Sequence, residues 1–415
     1  MSLALALGES TDQGGAPWQT PELYWPGLTE ATSGLDTPVG ALHLGALRHN
    51  TQDLLRRAQG TPIRVASKSL RVRGVLEAVV ALPGYRGVLA YTLAEALWLA
   101  ETLDDIVVGY PSADTSAILR LARSAELAGR ITLMVDSIAH LDLIDAVIAP
   151  PQRERIRVCL ELDASWNAPV LGHLGVWRSP VHTPEDARAL AVGIVSRPGF
   201  DLVGLMAYEA QIAGLGDRPD ARPVQGRLNR WVRNRSIVDI NTRRAAAVAA
   251  VRQVADLEFV NGGGTGSLES THADTSVTDI AAGSGFFGGH HFDNYSGFRP
   301  APAAAFALSV VRKPTASTAA LLGGGWIASG PPGADRSPRL VWPEGLALVP
   351  REMAGEVQSP VTGAAAAELQ VGDRVWLRHT KSGELSEHLN EFALVDDGIV
   401  VDMLPTYRGE GKAFL

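Results

Sequence analysis

Lys68 closes the run IRVASK, a short segment rich in apolar and β-branched residues. A lysine at the end of a strand can be withdrawn from bulk water, and a neutral amine there can add to a carbonyl to form an imine. On position alone the commoner occurrence is an ordinary lysine opening a helix, its ammonium reaching out to water. Farther along, VNGGGTGS (residues 260–267) follows an apolar run. Consecutive glycines let backbone N–H groups approach a phosphate, and Thr265 or Ser267 can add a hydroxyl. No Lys-Ser/Thr follows these glycines, which sets the segment apart from a nucleotide P-loop; a tight glycine turn reads the same way. AAGSGFFGG (residues 281–289) is a second loop of small residues. Two such loops on adjacent strand ends, with a lysine on an early strand, favour a phosphorylated ligand. A third constellation, RHTKSGELSEHLNEF, gathers His379, Lys381, Glu384, Glu387, His388 and Glu391. It suits metal binding or proton transfer, and equally a solvated charged hairpin. His290 and His291 are adjacent, so on a strand only one of them could line a site.

These residues need a scaffold, and the chain supplies a regular one. From Thr37 to about Phe287, short apolar runs alternate with segments of helical period: VGALHL, IRVASK, VLAY, DIVVGY, ITLMVD, RVCLELD, DLVGLMAYE, LEFVNGGG and the run around Ile280. Roughly eight strand–helix repeats in about 250 residues predict an α/β fold, a (β/α)8 TIM-type barrel, with the candidate residues at strand C-termini. A doubly wound sheet would read alike strand by strand, and the count of eight favours the barrel. After about Asn294 the texture turns to short strands broken by Gly, Pro and Asp-Gly, predicting a smaller all-β domain. Within it, DDG between FALV and IVVDML marks a hairpin. The first forty residues predict an irregular arm or isolated strand. The expected boundaries are 1–37 for that arm, packing on the β domain, 38–293 for the barrel and 294–415 for the β domain.

Composition narrows the class. The 415 residues carry a net charge of −8, which argues against a nucleic-acid footprint. The one basic cluster, RLNRWVRNRS (residues 227–236), reads as a solvated helix face or a subunit-facing surface. No charge-free apolar run approaches the ~18 residues of a membrane span, and MSLALALGES lacks the basic start of a signal peptide. The single cysteine, Cys159, excludes an intrachain disulfide and suits a reducing, cytoplasmic setting.

As a set these motifs resemble the fold-type III pyridoxal-phosphate enzymes, more closely the D-threonine aldolase and D-serine dehydratase group than alanine racemase. TPVGALHLGALRHNTQDL is similar to the group's opening strand and helix, and IRVASKS to its lysine segment. The resemblance thereby implies pyridoxal 5′-phosphate held covalently on Lys68. MAYEAQ resembles the strand end lining the cofactor, implying Tyr208 and Gln211. VNGGGTGS resembles the phosphate segment, implying Gly263, Gly264 and Thr265, and GSGFF the second one, with Gly283 and Ser284 as donors. In GHLGVWRSP the position facing the pyridine nitrogen corresponds to His173, with Arg178 the alternative register. The C-terminal stretch from GDRVWLRHT to PTYRGEG resembles the group's C-terminal signature. There the relatives carry a metal on His-x-Asp or His-x-Cys, whereas this chain has His379-Thr380-Lys381. A charged ammonium cannot ligate a cation, so no metal is expected, and Lys381 would polarise a hydroxyl or bind a carboxylate instead.

The activity so implied is aldolase-like cleavage of a β-hydroxy-α-amino acid, D-configured, to glycine and an aldehyde. His379 would take the hydroxyl proton, since an imidazole titrates near neutral pH. The alternatives are β-elimination of the D-serine dehydratase kind and racemisation, for which Tyr407 is a candidate second base. More distant are a non-catalytic carrier of the cofactor and a sugar-phosphate enzyme. The resemblance also implies a homodimer acting on a small amino-acid substrate.

Overall fold

The computed structural model describes residues 3–8, 15–169, 171–219, 222–330, 333–381 and 383–415. The remainder, including part of the expected N-terminal arm and Ser382 of the charged C-terminal segment, lies outside the described residues. The chain divides into two compact units. One holds residues 54–68, 79–283 and 414–415, the other residues 1–53, 69–78 and 284–413.

The first unit is the barrel. Eight strands, Ile63–Ala66, Tyr85–Ala90, Ile106–Val108, Ile131–Val135, Ile156–Glu161, Phe200–Ala207, Phe259–Gly262 and Asp279–Ala282, run parallel and close on themselves. Pairing of Ile280 with Ile63 joins the last strand to the first. Such strands are covered on both faces, which is why they read as continuous Val/Ile/Leu runs rather than alternating ones. Val107, Met134, Cys159, Val203, Met206 and Phe259 form a buried apolar cluster from these strands. The helices carry their start signals in the sequence. Thr183 and Asp186 form a reciprocal capping box for Pro184–Val195, and Asp114 caps Thr115–Ala122. The helix Pro223–Arg252 has proline in its first turn and leaves Arg227, Arg230 and Arg235 exposed. A small hairpin, Trp166–Ala168 with Gly172–Leu174, interrupts the repeat after the fifth strand.

Arg64 is wholly buried inside the barrel. Arg64, on the first strand, donates from Nε and Nη2 to Asp279 Oδ2 at 3.1 and 2.9 Å and from Nη1 to Asp105 Oδ1 at 2.9 Å. Its guanidinium carbon lies 5.1 Å from the centre of the Phe259 ring. Asn261 Nδ2 donates to the other Asp279 oxygen at 2.5 Å, so each oxygen of this buried carboxylate has a donor. Gly87 passes so near that a Cβ there would stand 2.1 Å from the Asp105 carbonyl oxygen, and its φ of +58° also favours glycine.

The second unit is built on a nine-stranded sheet. Its middle strand is Ala304–Thr315, and Val39–His43 lies beside it, antiparallel to Ala304–Thr315 and parallel to Glu391–Asp396. This corrects the expectation that VGALHL opens the barrel: eight strands already close without it. A short buried apolar run carries no mark of the sheet it joins. The expected arm is corrected as well. Residues Pro21–Ala31 form a helix despite the internal Pro26, and Tyr24, Trp25 and Leu28 pack with Val39, Ala305 and Trp376. Proline and glycine had suggested a loop, but burying three large side chains on one helical face outweighs them. The hairpin signal holds: Glu391–Asp396 and Ile399–Pro405 are joined through Asp397 and Gly398, both at positive φ. Among the described residues no helix is long and apolar enough to cross a membrane.

Replacing Arg64 by Ala would leave Asp279 buried without its cation. We expect urea unfolding to show a loss of about 3–5 kcal/mol. Arg86→Ala, which removes the half-exposed partner of Asp105, is expected to cost about 1 kcal/mol or less in the same assay.

Candidate functional site

The C-terminal ends of the barrel strands assemble the site, and its members recur at one offset. Lys68, Tyr110, Asp163 and Glu209 each stand two residues past the end of a strand. Ser67 anchors the Lys68 turn, its hydroxyl donating to the Leu89 carbonyl at 3.1 Å. The Lys68 side chain is exposed rather than desolvated. Its Nζ donates to the Tyr110 hydroxyl at 3.0 Å and lies 5.6 Å from that ring's centre. On the same phenol stands a second cation: the Arg178 guanidinium is 4.6 Å from the Tyr110 ring centre and 5.6 Å from that of Tyr208. Arg178 is oriented by an ion pair with Glu161 and by donation from Nη2 to the Gly109 carbonyl at 2.8 Å.

This arrangement sets the protonation of its members. Burial pushes the Tyr110 hydroxyl up, but Lys68 and Arg178 together outweigh it and hold the phenol below its ordinary value. Tyr208 is pushed up to about 12 by burial and by Tyr110, with Arg178 offsetting only part of the rise. Burial raises the Glu161 carboxyl, and Arg178 offsets only part of the rise. Two phenols near one guanidinium are thus driven in opposite directions, with the more acidic one against the lysine.

Beyond the seventh strand, the glycine segment is held from behind. Gly263, at φ +81°, donates its amide to Glu209 Oε2 at 2.9 Å. Glu209 also accepts from the Thr271 hydroxyl at 2.7 Å and pairs with Arg244, which in turn donates to Asp274 at 2.9 Å. The Gly264 amide donates to Ser267 Oγ at 3.1 Å. The carbonyls of Thr265 and Gly266 are drawn off by Arg57 at 2.8 Å and Arg233 at 3.3 Å. The Gly263 amide, expected to reach a phosphate, is therefore committed to Glu209. A Cβ at Gly264 would lie 2.9 Å from that of Ala213 and 3.4 Å from the Tyr208 ring, so this position is tight for any side chain. Gln211 donates to the Ala164 carbonyl at 2.6 Å, and its Oε1 is buried with no hydrogen-bond partner. Gly283 directly follows the eighth strand, which pairs with the seventh, and Ser284 begins the next segment of the other unit.

His173 stands elsewhere. It lies on the hairpin, stacked at 3.7 Å on Trp177. Among the described residues it is Arg178 that reaches Tyr110 and Tyr208, because the hairpin carries His173 aside while the chain returns through Arg178 to the fifth strand's end. His379 and Lys381 belong to the β unit. His379 is buried against Phe287, and burial lowers it to about 4, so the expected titration near neutrality does not hold. The Lys381 amide donates to Glu384 at 2.8 Å. Among the described residues no group of His, Cys, Asp and Glu forms a metal site.

The residues present suit a phosphorylated carbonyl cofactor: a strand-end lysine, a glycine turn with no room for a Cβ, an unpartnered amide oxygen and a guanidinium beside two phenols. Comparison with known proteins addresses the same point independently. The chain is similar in fold to the crystal structure of D-threonine aldolase from Filomicrobium marinum, with a TM-score of 0.72 and 18% identity over 90% of this chain and 96% of that one. It is likewise similar to D-threo-3-hydroxyaspartate dehydratase from Delftia sp. HT23, with a TM-score of 0.68 and 19% identity over 90% and 97%. Alanine racemase from Bacillus anthracis matches with a TM-score of 0.58 and 13% identity over 90% and 98%. No curated protein sequence matches. The family model described as alanine racemase, N-terminal domain, matches residues 42–263, more than half of the chain and all but the last of the barrel strands. By that match, carried on the fold and strand-end site described above, the chain belongs to the alanine racemase N-terminal domain family of fold-type III pyridoxal-phosphate enzymes.

Proposed function

We propose that this protein is a pyridoxal-phosphate-dependent lyase that cleaves a D-configured β-hydroxy-α-amino acid into glycine and an aldehyde. The observation that carries the reading is Lys68, poised at a barrel strand end with Nζ bonded to Tyr110 beside the Arg178–Glu161 pair. The fold likeness to a D-threonine aldolase, at 18% identity, supports cleavage as the first reading among the family's reactions.

Lys68 would carry the cofactor. The segment Gly263–Ser267 would take its phosphate, with the Thr265 hydroxyl as donor and Glu209, Arg57 and Arg233 holding the turn. Arg178, in place of His173, would face the pyridine ring with Tyr208 and Gln211 alongside. A guanidinium cannot accept a proton, and one facing the ring nitrogen would keep that nitrogen unprotonated. When bound, the cofactor supplies a moderate electron sink for the pair released as the Cα–Cβ bond breaks. The protein's share is to hold the amino acid so that this bond is aligned with the sink, and to restore the proton at Cα of the product.

Purified protein supplied with pyridoxal phosphate should show a band near ~420 nm that borohydride abolishes, and Lys68→Ala should lack it. A D-β-hydroxy amino acid should then yield glycine and an aldehyde in equal amounts. Release of ammonia and a keto acid would instead assign β-elimination, and loss of optical activity racemisation. Gly264→Ala is expected to raise the cofactor's Kd about tenfold, corresponding to ~1.4 kcal/mol, measured by fluorescence titration. An unchanged Kd would remove this segment from the phosphate site.

A further inference from the structure

We propose that Arg243 is the positioning residue for Arg178: by gathering carbonyls from both legs of the chain between Asp163 and His182, it fixes where that guanidinium meets Tyr110 and Tyr208. The inference deepens the functional reading, in which Arg178 faces the cofactor's ring, and rests on it for that consequence alone. The placement itself is tested without cofactor.

After the fifth strand the chain makes an excursion from Asp163 to His182 that carries the small hairpin and then Arg178. Its two legs are joined at a neck. The Asp163 amide donates to the Val181 carbonyl at 2.7 Å, and Asp163 Oδ2 lies 3.0 Å from His182 Nδ1. Arg243, from the long helix Pro223–Arg252, closes over this neck. Its Nη1 donates to the carbonyls of Asp163 and, at 3.1 Å, of His182, and its Nη2 donates to that of Ser165 at 2.6 Å. Carbonyls from opposite legs thus share one side chain, which is 11% exposed. Asp239, one turn earlier on the helix, accepts from Nε at 3.3 Å and from Nη2 at 2.9 Å and so holds the fork in place. A planar cation with several donors can serve both legs in this way, whereas a lysine, with one compact ammonium, cannot hold the same fork.

Arg178 depends on the neck because the hairpin side gives its backbone little to hold. There the chain passes Gly175 at φ +140°, and Val176 and Trp177 are exposed, Trp177 to 85%. On the neck side the Ser179 hydroxyl accepts from the Val181 amide at 3.1 Å and donates to the Glu161 carbonyl at 2.7 Å. The register set at the neck is therefore passed to the residue beside Arg178. Glu161 and the Gly109 carbonyl then aim the guanidinium. They act on a side chain whose starting point Arg243 has already set.

The test is a double-mutant cycle read at Tyr110 in the full-length, cofactor-free protein. Tyrosinate ultraviolet absorbance is followed with pH, and each variant is paired with its Tyr110→Phe counterpart so that the difference reports this phenol alone. Lys68 and Arg178 hold Tyr110 below the ordinary tyrosine value, so displacing Arg178 should move its titration upward. That rise is expected in Arg243→Ala and, to a smaller extent, in Arg243→Lys and Asp239→Asn, milder changes that serve if Arg243→Ala fails to fold. In an Arg178→Gln background the same changes should leave Tyr110 where Arg178→Gln alone puts it, because residues acting through one another are not additive. Shifts that add in that background, or no shift from any of the three variants, would overturn the proposal. A second readout is cofactor affinity. Arg243→Lys should raise the Kd for pyridoxal phosphate about tenfold in the otherwise wild-type protein and leave it nearly unchanged in the Arg178→Gln background. An equal rise in both would mean that Arg243 acts otherwise than through Arg178, and the proposal would fall. If the wild type binds no cofactor, the functional reading fails by itself, and the tyrosinate titration still decides the placement.

Discussion

Glu209 is nearly inaccessible to water, yet it has a partner on every side: the Gly263 amide, the Thr271 hydroxyl and the Arg244 guanidinium. A carboxylate removed from water is tolerable only when its oxygens are satisfied in this way. The consequence is mechanical. Glu209 follows the sixth barrel strand, Gly263 follows the seventh, and Arg244 comes from the long helix between them, itself fixed to Asp274. One buried network therefore ties two strand ends and a helix, and leaves the glycine turn little freedom to move. Because the network uses the amide of Gly263 and arginines draw off the next carbonyls, the turn arrives already shaped. A ligand binding there would not have to bear the cost of ordering it.

At the mouth of the same barrel, charge is arranged by a different logic. Arg178 is neutralised by Glu161, so the pair brings little net charge while presenting a planar cation to two aromatic rings. Tyr208 and Tyr110 then differ because burial acts on both while the second cation acts on only one. The deeper pair, Arg64 with Asp279, serves the fold: it fills the barrel interior and lies wholly out of water. Similar residue types thus hold the interior in one layer and tune acidity in another, and burial distinguishes the two roles.

The chain passes between its two units at five points, two of them directly after Lys68 and directly after Gly283. These two crossings fall at barrel strand ends that the sequence marks for chemistry. Boundaries sought in texture, at residues 38 and 293, therefore miss them. A linker rich in Gly, Pro or polar residues is one way to leave a domain, and an ordinary strand end is another that carries no compositional sign. The strand Val39–His43 illustrates the same limit, since its apolar run would serve either sheet.

Local chemistry written in neighbouring residues was legible without a structure. The eight-fold rhythm, the lysine after IRVAS, the glycine turn, the Asp-Gly hairpin and the helix caps each depend on residues a few positions apart, where periodicity and turn preferences act directly. Partnerships across long stretches of chain were not. Tyr110 is an unremarked residue after DIVVG until the fold sets it against Lys68 and Arg178. Glu209 is one letter in MAYEAQ until Gly263 and Arg244 close around it. His173 and Arg178 lie five positions apart, and only the hairpin decides which of them meets the two phenols. His379 suggested a neutral-pH base by residue type, and burial alone moved it down to about 4. Desolvation and pairing depend on what surrounds a group in space, so tertiary structure determines them whatever the residue type suggests.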